Sequence, residues 1–195
     1  MLMSKDRVYG SLPSSDFRLP SWYRKPYTPA NTGNGKTDFL WRVNHSFRLQ
    51  IQSASRVNVK DVDLIYVRVG IYHGTEPLCS EKQSKQVSPG DPRWQEWLDL
   101  DISMIDLPRS AKLCLSICSV RKRKGKDEHM MLSWANINMF DFKHRLLAGG
   151  YSLNLWGVPK GNEDLLNPLG STGTNPNSES SNLSVEFESG EFKLS

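Results

Sequence analysis

Five cations fall within six positions in Arg121-Lys122-Arg123-Lys124-Gly125-Lys126. Side chains so charged repel one another and cannot be buried without partners, so the segment must be solvated. An apolar run, 111–120, leads into it and a second, 131–139, leads out. Two strands therefore hold a basic loop in place, and a held cluster of cations is an anion-binding surface. Lipid headgroups, a nucleic acid or an acidic protein face all fit. Each Lys or Arg near an anionic leaflet contributes roughly 1 kcal/mol, and Asp127 and Glu128 subtract from the total. Membrane contact through this loop is thus expected to be weak and salt-sensitive.

Other chemistry is poorly supplied. A calcium site needs converging carboxylates. Asp61 and Asp63 are near one candidate rim, but Asp127 and Glu128 sit among five cations that repel a divalent ion. His45, His73, His129 and His144 have no spacing with Cys79, Cys114 and Cys118 that suits zinc. No Gly-rich phosphate loop, no Asp-Phe-Gly metal motif (Asp141-Phe142 precedes Lys143) and no hydrolase-type Ser/His/Asp or Cys/His set is present. No metal or other cofactor is expected for this chain.

The elements that position the basic loop read as strands. Phe47, Leu49 and Ile51 alternate with Arg48, Gln50 and Gln52. Ile65, Val67, Val69 and Ile71 alternate with Tyr66, Arg68, Gly70 and Tyr72, and Leu113, Leu115 and Ile117 with Cys114, Ser116 and Cys118. Leu98, Leu100 and Ile102 share a face with Trp94, while Trp97 points the other way. Tyr151, Leu153 and Leu155, then Leu183, Val185 and Phe187, repeat the period of two. With weaker runs at 76–87 and 132–139 this makes about eight short strands, hence an all-β, two-layer antiparallel sandwich. A turn or two of helix is expected at 140–147. Residues 1–39 hold Pro13, Pro20, Pro26 and Pro29 and then Asn31-Thr-Gly-Asn-Gly35, and read as an irregular leader to a domain over 40–190.

Bulk properties agree. The chain has 195 residues, 37% hydrophobic and 24% charged, enough for one domain with a core. Residues 1–40 and 121–129 each hold a net +3, so of the chain's +4 the remainder holds −2. Cys114 and Cys118, four apart on one face of a strand and about 13 Å from each other, cannot join in a disulfide, so free thiols are expected. No apolar stretch approaches the ~20 residues of a membrane-spanning helix. If successive strands run antiparallel, the connections 56–63, 88–92, 121–130 and 157–181 emerge at one rim, the expected working surface.

Six stretches stand out: Ile65-Tyr-Val-Arg-Val-Gly-Ile-Tyr-His-Gly-Thr-Glu-Pro-Leu-Cys79, Asp91-Pro-Arg-Trp-Gln-Glu-Trp-Leu98, 106–120, Asn154-Leu-Trp156, Glu163-Asp-Leu-Leu-Asn-Pro-Leu-Gly170 and Asn175-Pro-Asn177. In order, they resemble the C2 domain of class I phosphoinositide 3-kinase catalytic subunits, nearest the alpha form. Residues 1–13 look like the junction leaving a Ras-binding domain, so the leader is expected to be a linker inside a longer kinase. The resemblance implies a C2-type sandwich that is not itself an enzyme. Its parent would phosphorylate the 3-position of phosphatidylinositol 4,5-bisphosphate with ATP and magnesium, in the cytoplasm and on the inner face of the plasma membrane. It also implies two contacts. Arg121, Lys122, Arg123, Lys124 and Lys126 match the loop held to face anionic lipid. Asn58, Met130 and Glu163 match positions that meet the inter-SH2 coiled coil of the regulatory subunit. The stretch after Val59 is shorter than in the family, and Met130 stands where the alpha form has Cys. Two other readings use the same residues: a nucleic-acid-binding sandwich, and a structural spacer whose loop touches nothing. Aromatics interleaved with cations, which single strands require, are absent from 121–126, so no nucleic acid is expected.

Overall fold

Alternation of apolar and polar residues builds two facing sheets. The computed structural model describes residues 38–39, 45–57, 59–188 and 192–193. The strands are β1 (Asp38–Phe39), β2 (Ser46–Ser55), β3 (Leu64–His73), β4 (Glu76–Pro77), β5 (Lys82–Gln83), β6 (Arg93–Ser103), β7 (Lys112–Arg123), β8 (Lys126–Asn138), β9 (Gly149–Asn154), β10 (Trp156–Gly157), β11 (Asn182–Phe187) and β12 (Phe192–Lys193). Sheet I has the order β10-β8-β7-β3-β4, with β5 also on β3; sheet II has the order β6-β2-β11-β9. All pairings within the two sheets are antiparallel. The expected antiparallel β-sandwich is the architecture. The proposed leader lies, apart from 38–39, outside the described residues.

The inner faces carry the residues that the period of two assigned to them. Phe47, Leu49, Ile51, Val67, Val69, Ile71, Leu113, Leu115, Ile117, Leu153, Val185 and Phe187 form one buried core. Trp94 is 1% exposed and Trp97 38%, so the two tryptophans of β6 divide between core and surface as read. Arg48 lies over the Trp97 ring, 4.6 Å from its centroid.

Residues 140–147 are not helical. Phe140 bridges to Leu146, and Asp141 organises the loop between them. Its Oδ1 accepts the backbone N–H of Lys143 (2.7 Å) and of Arg145 (2.9 Å), and its Oδ2 accepts Arg145 Nε (2.8 Å). A short acceptor side chain at the head of a turn competes with helix for the same backbone donors, and here it wins.

The connection after β10 does not stay at the rim. It runs as a strap across the outer face of sheet I. Leu165 packs on Tyr66, Cys118 and Val120, and Leu166 on Tyr72 and Cys114. Ser116 Oγ donates to the Leu165 carbonyl and Lys112 Nζ to that of Pro168. Asn136 Nδ2 donates to the carbonyls of Asn167 (2.7 Å) and Gly170 (3.0 Å), and the Asn136 carbonyl accepts Gly173 N–H (2.8 Å). A Cβ on Gly170 would lie 2.3 Å from Trp134 Cη2. Gly170→Ala should therefore force the indole or the strap to shift, at a cost of about 1–3 kcal/mol in urea unfolding.

The strap explains the cysteines. Cys114 and Cys118 are buried and free, Cys79 half-buried and free. Burial pushes the Cys114 thiol up to about 12 and raises Cys118 and Cys79 as well. A buried neutral thiol is a poor nucleophile. In the native chain a thiol reagent should label Cys79 first and reach Cys114 and Cys118 only at the rate of unfolding, read by mass spectrometry over time.

Candidate functional site

The five cations sit on a β-ribbon that projects past the sandwich, not on an open loop. β7 and β8 stay paired to the tip, with Arg121 opposite Glu128, Lys122 opposite Asp127 and Arg123 opposite Lys126. Lys124 and Gly125 make the two-residue turn, and Gly125 has φ of +90°. A positive φ at that position favours glycine. Lys122, Arg123, Lys124 and Lys126 are exposed and Arg121 is half-buried. Of these five cations only Arg123 has an ion-pair partner among the described residues, Glu128 at 3.4 Å. The pair is exposed, so it contributes little.

The base of the ribbon is fixed from the β3 side, along one edge and across the outer face. Asp63 Oδ2 accepts the backbone N–H of Lys122 (2.8 Å), and Asp63 N–H donates to the Val120 carbonyl (3.2 Å). Tyr66 Oη and His129 Nδ1 are 3.1 Å apart, and their rings meet edge to face at 5.7 Å. Burial, then the neighbouring Cys118, raises the Tyr66 phenol to about 12.

The remaining candidates do not share one surface. Asn58 lies outside the described residues. Met130 is 54% exposed at the foot of the ribbon, opposite Ser119. Ser119 is itself opposite Ile65, a core residue, so Met130 continues the core-facing side of sheet I. Glu163 is exposed on the strap, over the outer side of the same sheet. It borders a cleft of about 480 Å³ lined also by Arg68, Tyr72, Thr75, Glu81 and Asp164. In that cleft Glu81 accepts Arg68 Nε at 2.6 Å and Tyr72 Oη at 2.5 Å.

Strand parity thus gathers 56–63, 88–92 and the ribbon at one end but misplaces Glu163. Ala54 N–H donates to the Pro92 carbonyl (3.0 Å), and Arg56 Nε to that of Ser180 (2.9 Å). The connection 157–181 crosses the outer face, passing the foot of the ribbon where Asn162 meets Met131, before its last residues return to the rim, because a connection of that length can cross a face instead of following an edge.

A family model described as "Phosphoinositide 3-kinase C2" matches residues 61–190. The chain belongs to this family. Its sequence is 31% identical over 180 residues to "Phosphatidylinositol 3-kinase 1" of Dictyostelium discoideum, covering 78% of this chain and 11% of that protein. It is 33% identical over 87 residues to "Phosphatidylinositol 3-kinase age-1" of Caenorhabditis briggsae, covering 45% of this chain and 7% of that protein. The chain thus spans a small part of the relatives it matches, and that part is the non-catalytic C2 region.

As a phosphoinositide 3-kinase C2 module it can be compared with what calcium binding demands. Among the described residues no three His, Cys, Asp or Glu side chains converge as metal ligands. Asp63 is already engaged by backbone N–H, and Asp127 and Glu128 lie between cations. The carboxylates of this rim organise the ribbon and temper its charge.

Sequence reasoning missed how the strap is held, through Asn136 and the close approach of Gly170 to Trp134. A signal existed. Residues 113–120 contain no charged side chain on either face, as expected of a strand buried on both sides.

Proposed function

We propose that this chain is the C2 module of a class I phosphatidylinositol 4,5-bisphosphate 3-kinase catalytic subunit of alpha-like type. It seats the kinase on anionic lipid at the inner face of the plasma membrane and docks the inter-SH2 coiled coil of the regulatory subunit. ATP and magnesium act elsewhere in the parent. The observation that carries the lipid role is the ribbon, which holds five cations of which one has an ion-pair partner among the described residues. Such a surface attracts an anionic leaflet with a strength that falls as salt rises. Calcium has no part in this reading, since the ribbon's field opposes a divalent ion.

The partner role is supported by Glu163, which stands at an acidic cleft mouth and matches the family's contact pattern. The test has two arms. The 195-residue chain should sediment with phosphatidylcholine vesicles containing phosphatidylserine, lose that binding as sodium chloride is raised, and ignore vesicles of phosphatidylcholine alone. Calcium and chelator should give the same result. The chain should also bind the isolated coiled coil. Salt-indifferent binding, or equal binding to neutral vesicles, would sink the lipid role.

A further inference from the structure

The ribbon has two faces, and they differ in charge. Residues directly opposite in an antiparallel pair share a face, as do alternate residues of one strand. One face therefore holds Ser119, Arg121 and Arg123 with Met130, Glu128 and Lys126. The other holds Val120 and Lys122 with His129 and Asp127. The register shift between Ile117 and Cys118 leaves Leu132 as the extra residue of β8 and decides this assignment, because it sends Met130 to the core-facing side and Met131 to the strap side. Asn162 Nδ2, on the strap, lies 3.9 Å from Met131 Sδ, in agreement.

Counting charges, the first face has three cations and one carboxylate, and the second has Lys122 directly across from Asp127. Lys124 belongs to the turn. The first face also exposes Met130, 54% accessible at its foot, so no described part of the chain covers it. The second is engaged by the chain itself, through the Tyr66–His129 contact.

Building on the lipid role above, we infer that the ribbon lies on anionic lipid by one face, with Arg121, Arg123 and Lys126 against headgroup phosphates and Met130 against the acyl boundary. Lys122 and Asp127 look away and leave that face without net charge, whereas the lipid face keeps a net positive charge even with Arg123 paired to Glu128. Charge and apolar contact then fall on the same side, the combination that interfacial binding rewards. Arginine suits the phosphate role, since its fork donates to two oxygens at once.

Two double variants of the 195-residue chain separate this arrangement from net charge alone. Arg121→Gln with Lys126→Gln and Lys122→Gln with Lys124→Gln each remove two positive charges. On phosphatidylserine-containing vesicles the first should lose roughly thirtyfold in affinity and the second no more than about threefold. Met130→Ser should lose severalfold without changing the slope of binding against salt. Melting by circular dichroism checks that the variants fold, and all sites are at the projecting ribbon. Equal loss in the two doubles overturns the face assignment and leaves the lipid role standing. No wild-type preference for charged over neutral vesicles overturns both. An unchanged Met130→Ser removes the acyl contact from the inference.

Discussion

Asn136→Asp should be the most damaging single-atom change in the domain, costing about 3 kcal/mol or more at neutral pH. Asn136 is fully buried, and both of its short Nδ2 bonds hold the strap, at Asn167 and Gly170. A carboxylate there offers acceptors to two carbonyl acceptors and carries an unpaired buried charge. Burial and repulsion raise the pKa of such a group above its ordinary value of ~3.9. The folded state then holds the proton more tightly than the unfolded one. The penalty is therefore small below about pH 4 and grows as pH rises through the elevated folded-state value. Asn136→Ala, which merely orphans the two carbonyls, should cost about 1–3 kcal/mol with no such dependence. Urea titrations of wild type and both variants from pH 4 to pH 7, read as differences, give the answer. A pH-independent difference for Asn136→Asp would mean the strap has moved to let water reach the site.

The strap also marks where the sequence stops being legible. Period-two runs identified the inner faces, because a strand with one buried face writes its burial into alternate positions. Nothing in that logic says what covers the other face. Cys114, Ser116 and Cys118 were readable as the outer row of β7, yet all are buried, because residues 162–170 lie on them. Gly70 was readable as a strand glycine; a Cβ there would stand 2.8 Å from the Tyr72 ring and 3.0 Å from Leu166 Cδ1 of the strap. Those are contacts between segments far apart in the chain, 49 positions for Ser116 and Leu165, and no local pattern encodes them. The basic cluster was found at once, since charge density is a property of composition. Its form was not. An alternation read back from Ser133, Ala135 and Ile137 puts Met131 inside and Met130 outside, and the bulge at Leu132 reverses them. One inserted residue flips every side chain beyond it. The sequence pattern therefore identifies the charged residues, and the bulge determines which of them act together.

Glu163→Lys should lower affinity for the regulatory coiled coil by ten- to hundredfold, equivalent to about 1–3 kcal/mol. The cleft it borders contains Glu81 and Asp164 as further carboxylates and Arg68 as its guanidinium, and Arg68 is already bound to Glu81. The mouth therefore favours a cation from the partner, and a lysine at 163 replaces attraction with repulsion. Glu163 is exposed and hydrogen-bond anchors of the strap lie elsewhere, at Asn136, Ser116 and Lys112, so the fold should persist. Glu163→Gln should give a smaller loss of the same sign, because it removes attraction without adding repulsion. Met130 and Glu163 look out from opposite sides of sheet I, which sets up a crossed result. Glu163→Lys should weaken the coiled coil and leave phosphatidylserine vesicles bound as before or slightly better. Met130→Ser should weaken vesicle binding and leave the coiled coil unaffected if Met130 serves lipid and not the partner contact that the resemblance implies for it. Titration calorimetry with the coiled coil and vesicle sedimentation, run on the same two variants, distinguish one shared surface from two. Loss of both activities in either variant would show that partner and membrane compete for the same side of the domain.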